Sequence, residues 1–346
     1  MSDSTFPAAQ QRLTRFIQSA LGNDSGTYRI SRLVGDASTR QYFRYTNPAG
    51  EVYILTVYPE PFQDTRFAYA QMYGLFRRLQ IKVPELLKMD GRLGVVLQQD
   101  LGDTTLQKHF VQCSEEERLT WLRTAIDYLV DLQVRGGDLL EPDDEANHLV
   151  FDTEKLKWEL QFFHRHYLAG CRKLRPDLDK EVEAEFDQIC VELAGYPRVL
   201  CHRDYQIRNL MLCSDSLFVI DFQDTRWGPP SYDLVSLLKD SISLTGVETD
   251  ELIDYFLWRR PELSNPAFER QFQLMSVQRL LKALGTYGYQ VSVRRNLGYE
   301  QYMRGSLERV RNALLHLPEL TALRSVVERS LEPFSEPGGR PKRASN

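Results

Sequence analysis

The run Cys201-His-Arg-Asp-Tyr-Gln-Ile-Arg-Asn-Leu-Met-Leu212, followed by Phe218-Val-Ile-Asp-Phe-Gln-Asp224, holds the side chains with the most chemical content. It reads as H-x-D-x-x-x-x-N, a short strand, a turn, a second strand and an aspartate at its end. Asp204, on a loop, can accept the proton of an attacking hydroxyl. Asn209, five residues on, can turn its amide oxygen toward a Mg²⁺ ion, and Asp221 presents a carboxylate to the same metal. Mg²⁺ takes a few hard oxygen ligands and completes its shell with phosphate oxygens and water. Alone, Asp204 and Asn209 read as turn formers and Asp221 as a strand-end polar residue. Together, the spacing, the hairpin and the apolar strand point to phosphoryl transfer. His202 reads as a residue that packs and hydrogen-bonds to fix this loop. Arg203 and Arg208 can approach phosphates or pair at the surface.

These residues need a frame to hold them. Leu13, Ile17 and Leu21 mark a helix over 8–22. Strands are predicted at 28–34, 40–45 and 51–57, the last two around the turn Asn47-Pro-Ala-Gly50, with the polar loop Gly35-Asp-Ala-Ser-Thr39 after the first. A helix over 64–80 and strands at 85–89 and 93–98 follow. Beyond Gly102 long helices dominate, at 104–110, 115–134, 153–169, 179–194 and from 231 to about 330. One strand pair interrupts them, at 210–213 and 217–221. The expected class is α+β: a small antiparallel-sheet N-lobe (1–101), a large mainly helical C-lobe (102–334) and a disordered tail (335–346) rich in Pro, Gly and charge. Two lobes imply a cleft for a ligand.

Composition narrows the classes. With 43 basic and 48 acidic residues the net charge is -5, which does not suit a general nucleic-acid binder. No apolar run approaches the roughly 20 residues of a membrane span. The five cysteines form no CxxC pair, so neither a zinc site nor a disulfide framework is expected. Scattered cysteines and a start without a basic, apolar leader read as cytoplasmic. No obligate protein partner is evident.

At these motifs the chain resembles the aminoglycoside phosphotransferase and choline kinase superfamily, which shares the protein-kinase-like fold, over about residues 25–330. The strings Gly35-Asp-Ala-Ser-Thr-Arg-Gln-Tyr-Phe-Arg44, Leu97-Gln-Gln-Asp-Leu-Gly-Asp103, Tyr232-Asp-Leu-Val-Ser-Leu-Leu238 and Gln278-Arg-Leu-Leu-Lys-Ala-Leu-Gly285 resemble the bacterial anomeric amino-sugar kinases. Those enzymes phosphorylate N-acetylmuramate and N-acetylglucosamine at the C1 hydroxyl in cell-wall recycling. The resemblance implies ATP and Mg²⁺ as cofactors and a small sugar as acceptor. It makes Asp204 the base and Asn209 and Asp221 the metal ligands. It also makes Asp233 a brace for the catalytic loop. The helix dipole alone also favours a carboxylate at Asp233, by about 0.3–1 kcal/mol. Ser38, Thr39 and Arg40 fall where a nucleotide's phosphates are cradled. Gln98, Gln99 and Leu101 fall at the linker whose backbone meets the adenine edge. One departure stands out. Protein kinases carry a third-strand lysine paired with a helix glutamate; here Thr56 stands near that place, which leaves Arg40 or Arg44 to meet the phosphates.

The acceptor side is less determined. Leu156, Leu160, Phe163 and Tyr167 form a packing stripe, and Glu159 falls off it, as a sugar contact or a solvated charge. Asp224 and Arg226 can face substrate. Phe162 and Trp227 can stack on a sugar or belong to the core. A kinase of an aminoglycoside, choline or another amine is the alternative activity, with the acidic run Glu141-Pro-Asp-Asp-Glu145 as its feature. A silent nucleotide-binding scaffold is the third reading.

Overall fold

The computed structural model describes residues 5–21, 28–33, 39–173, 179–240, 242 and 244–332. Ser38 and the tail 335–346 lie outside them. In chain order the elements are α1 (Thr5–Leu21), β1 (Arg29–Arg32), β2 (Gln41–Thr46), β3 (Val52–Val57), α2 (Ala68–Arg78), β4 (Leu86–Asp90), β5 (Val95–Gln99), α3 (Leu106–His109) and α4 (Glu115–Arg135). Then come α5 (Thr153–Phe163), α6 (Asp179–Ala194), β6 (Val199–Cys201), β7 (Leu210–Cys213), β8 (Ser216–Val219) and β9 (Arg226–Gly228). Helices α7 (Ser231–Val235), α8 (Gly246–Arg259), α9 (Pro266–Ser292), α10 (Glu300–Leu314) and α11 (Thr321–Leu331) complete the fold. Two compact units result. The first takes the chain to Val150 together with Arg198–Glu262; the second takes Phe151–Pro197 and the chain from Leu263.

The first unit opens with a five-stranded antiparallel sheet in the order β1-β2-β3-β5-β4. Side chains alternate between its faces. On one face Phe43, Tyr45, Leu55, Val57, Val95 and Leu97 are buried against Ala9, Leu13, Phe16 and Ile17 of α1, the helical spacing that makes α1 amphipathic. The opposite face carries Tyr42, Arg44, Ile54, Thr56 and Gln98. On that side Tyr69 of α2 donates to Gln98 Oε1 at 3.0 Å. Tyr69 and Phe76 of α2 also pack on Phe222, with ring centroids 4.8 and 5.2 Å apart.

Three boundaries differ from expectation. The helix predicted over 64–80 is a single 3-10 turn (Asp64–Arg66) and then α2. The helix predicted over 153–169 is α-helical only to Phe163 and continues as a π-helix over His164–Arg172. The strand pair β7-β8 has company, since β6 and β9 form a second two-stranded ladder. Three residues a strand are too few to show a period of two, and Val199, Leu200 and Cys201 are all buried, so no alternation marks them.

In the second unit α9 packs closely on α5 and the π-helix because two glycines permit it. A Cβ at Gly285 would lie 2.8 Å from the Phe163 backbone, and one at Gly288 2.6 Å from the His166 carbonyl. Glu185 of α6 accepts from the N–H groups of Ala322 and Leu323, both at 2.8 Å, and so caps α11 from another helix.

Candidate active site

The loop between β6 and β7 hangs from α7. His202 N–H and Arg203 N–H donate to the two oxygens of Asp233, at 2.5 and 3.0 Å. Asp233 is fully buried, in the first turn of α7, so bracing and a dipole-favoured position coincide in one carboxylate. Arg203 adopts φ +84, a left-handed backbone costly for a side-chain-bearing residue. The Asp233 bonds offset that strain. His202, also fully buried, donates from Nε2 to the Ile220 carbonyl at 3.0 Å and lies edge-on to Tyr205. Tyr205 donates to the Ala125 carbonyl at 2.8 Å, and Gln206 to Asp240 at 2.9 Å. The loop is therefore tied at four points, by α4, α7, the π-helical turn after α7 and the residue that follows β8.

This scaffold brings the expected residues together. Asn209 donates its side-chain N–H to the Asp204 carbonyl at 2.8 Å. The amide nitrogen is thus committed, and Oδ1 is the atom left for a cation. The Asn209 carbonyl in turn accepts from Ile220 N–H at 3.0 Å, which puts Asp221 one residue from the pairing. Asp221 leaves the strand at φ +65. Its Oδ1 accepts from Arg40 Nη2 at 2.6 Å and from Gln223 Nε2 at 2.9 Å. The Asp204 side chain is 28% exposed, with Arg203 Nε 3.9 Å from its Oδ2. Asp224 pairs with Arg203 at 3.1 Å, and buried Arg226 donates from Nε to the Asp224 carbonyl at 3.0 Å. Among the described residues no three His, Cys, Asp or Glu converge as a metal cage. One carboxylate and one amide oxygen suit Mg²⁺, which keeps water and phosphate in its shell.

The residues assigned to nucleotide lie in the same unit. Thr39, exposed, precedes Arg40 at the entry to β2. Gln98 is engaged by Tyr69. Gln99 exchanges two bonds with the Glu85 backbone, at 2.9 and 3.2 Å, and Leu101 is buried. The side chains of Gln98 and Gln99 are therefore occupied. Arg44 is held by Asp100 (2.6 Å) and Asp103 (2.9 Å), where it fastens the linker to the sheet. Hydrogen bonds from Arg44 hold the Asp103 carboxyl below the usual range.

Glu159 lies in the second unit and is 2% exposed, which overturns the reading of a solvated charge. It accepts from Gln278 Nε2 of α9 at 2.9 Å. The signal was present: Leu156, Glu159, Leu160 and Phe163 share one helical face. Phe162 packs with Trp158, His166 and Tyr289 in that unit. Trp227 packs on Gly137, where a Cβ would sit 2.7 Å from its ring. Sequence reasoning missed Gln223, which orients Asp221, and the tyrosines around Arg40, whose roles depend on sheet register.

The sequence profile of the phosphotransferase enzyme family (APH) matches residues 29–266. The chain belongs to this family. This phosphotransferase is 33% identical over 265 residues to the N-acetylmuramate/N-acetylglucosamine kinase of Pseudomonas aeruginosa, covering 73% of this chain and 74% of that one. A choline/ethanolamine kinase family protein from Mesorhizobium loti superposes with a TM-score of 0.60 at 15% identity, over 92% of this chain and 99% of the other. A streptomycin–ATP–APH(2'')-IIa ternary complex superposes with a TM-score of 0.54 at 16% identity, over 87% and 97%. The phosphotransferase thus has the protein-kinase-like fold of aminoglycoside phosphotransferases and choline kinases, with an antiparallel-sheet N-lobe and a mainly helical remainder. No helix among the described residues is long and apolar enough to cross a membrane.

Proposed function

We propose that this phosphotransferase moves the γ-phosphoryl group of ATP, with Mg²⁺, onto the anomeric C1 hydroxyl of N-acetylmuramate or N-acetylglucosamine, in the cytoplasm, for reuse of cell-wall sugars. One observation carries the reading. A chain 33% identical to a kinase of those two sugars has Asp204, Asn209 and Asp221 joined by the Asp204–Asn209 bond and the Asn209–Ile220 bond. In this reading Asp204 accepts the acceptor's hydroxyl proton as its oxygen bonds to phosphorus and the bond to ADP breaks. Asn209 Oδ1 and Asp221 would hold Mg²⁺, which when bound neutralises charge on the phosphates. Ser38, Thr39 and Arg40 serve the phosphates, and the backbone at Gln98, Gln99 and Leu101 serves the adenine, within a nucleotide lobe of residues 1–101. Glu159, Asp224 and Arg226 are assigned to the acceptor, within a lobe of residues 102–334. An anomeric hydroxyl is more acidic than other sugar hydroxyls, so one carboxylate base suffices.

The test is phosphorus NMR of the product from ATP, Mg²⁺ and each sugar. A phosphate coupled to the anomeric proton is the expected result. Phosphorylation at the 6-position would overturn the C1 assignment. Turnover of kanamycin or choline and of no sugar would overturn the acceptor class.

A further inference from the structure

Protein kinases grip the triphosphate with a third-strand lysine whose counter-ion is a helix glutamate. Both are missing here. Thr56 holds the strand position, 2% exposed and opposite Tyr42 in the register of β2 and β3. Helix α2, with the sequence AYAQMYGLFRR, has no acidic residue. A cation nevertheless stands beside the metal-binding carboxylate. Arg40 immediately precedes β2, two residues before Tyr42. Its Nη2 is 2.6 Å from Asp221 Oδ1, and its side chain is 17% exposed. The rings of Tyr42 and Tyr58 flank the guanidinium, each centroid 5.9 Å away, a geometry that favours a cation. Arg44, the other candidate, is engaged by two aspartates in the linker.

We propose that Arg40 is the phosphate-binding cation of the nucleotide site, so that an arginine at the entry to β2, with Asp221 as counter-ion, replaces the strand-lysine and helix-glutamate pair. This rests on the kinase reading above. An arginine suits the place because its planar fork can bond a carboxylate along one edge and phosphate oxygens along another. Pairing with Asp221 also offsets the loss of solvent around this half-buried cation.

The experiment is calorimetric titration of the full chain with ATP and with adenosine, each in Mg²⁺ and in EDTA. Arg40→Ala should weaken ATP binding about 10- to 100-fold, leave adenosine binding near the wild-type value, and do so in EDTA as well. Arg40→Gln, which keeps the side-chain length, serves should the alanine variant not fold, and the same pattern is expected. Equal loss of ATP and adenosine would overturn the proposal, since it signals damage to the fold. So would a loss confined to Mg²⁺, which would mean that Arg40 acts only through Asp221. A triphosphate-selective loss in Arg44→Ala and none in Arg40→Ala would also overturn it. A wild-type chain that binds no ATP would overturn the kinase reading and this proposal together. Unchanged ATP binding by the Arg40 variants would remove this proposal alone.

Discussion

At the scale of single residues, two carboxylates, one on the loop after β6 and one on α7, differ in environment. Asp204 is 28% exposed, whereas Asp233 is fully buried beneath the loop. Asp204→Asn should lower kcat by at least about 10²-fold with ATP affinity retained; wild-type turnover in that variant would remove Asp204 from the reaction. Asp233→Ala leaves the His202 and Arg203 N–H groups without their acceptor. Urea unfolding should show a loss of about 2–4 kcal/mol, together with a fall in kcat. A carboxylate present only for the helix dipole would cost about 0.3–1 kcal/mol, so the size of the loss separates the two accounts. Asp204, Asn209 and Asp221 were legible in the sequence because they sit on one loop and its hairpin, where chain connectivity alone keeps them close. The Glu159–Gln278 bond spans 119 positions, and the Arg40–Asp221 pair spans 181. No local pattern announces a pairing of that length.

At the scale of elements, most helices follow from capping residues and apolar stripes. Thr245 and Glu248 form a capping box at the start of α8, and Arg118 of α4 also donates to Glu248. Burial works to raise the Glu248 carboxyl, but bonds from Thr245 and Arg118 outweigh it and hold the group below the usual range. A depressed folded-state pKa stabilises above the unfolded value of about 4.3 and is lost as pH falls through the folded one. Thermal denaturation from about pH 6 to about pH 3 should therefore show a shallower decline in Glu248→Gln than in the wild type. Equal slopes would mean that other carboxylates carry the dependence. Gly288→Ala should cost about 1–3 kcal/mol by overpacking against the His166 carbonyl, read as a lower denaturant midpoint with an unchanged m-value. What the sequence did not show at this scale was the β6-β9 ladder, too short for periodicity, and the π-helix. The latter differs from an α-helix by hydrogen-bond register and leaves the apolar spacing of Phe163 and Tyr167 nearly intact.

At the scale of the whole molecule, the sheet-then-helix order was visible from strand-type segments ending near Gln99 and from the long amphipathic runs after Gly102. Ligand linkage is the natural test at this scale. Mg²⁺ and ATP at about 100 times Kd should add about 2.7 kcal/mol, or roughly 4 °C in Tm for a chain of this length. Asp221→Ala should forfeit most of that gain, and a full gain in EDTA would argue against a metal at Asp221. The first compact unit is discontinuous: its early part ends at Val150 and its remainder runs from Arg198 to Glu262. A ribosome making about 5–20 residues per second has therefore delivered the five-stranded sheet well before it delivers the loop and hairpin that belong to the same unit. During synthesis the α2 face meant for Phe222 waits uncovered. Nascent chains halted near residue 200 should be cut readily by protease within the first 150 residues, and chains halted past 300 should resist. The order of manufacture, not the strength of the finished contacts, then decides when this protein is most in need of a chaperone.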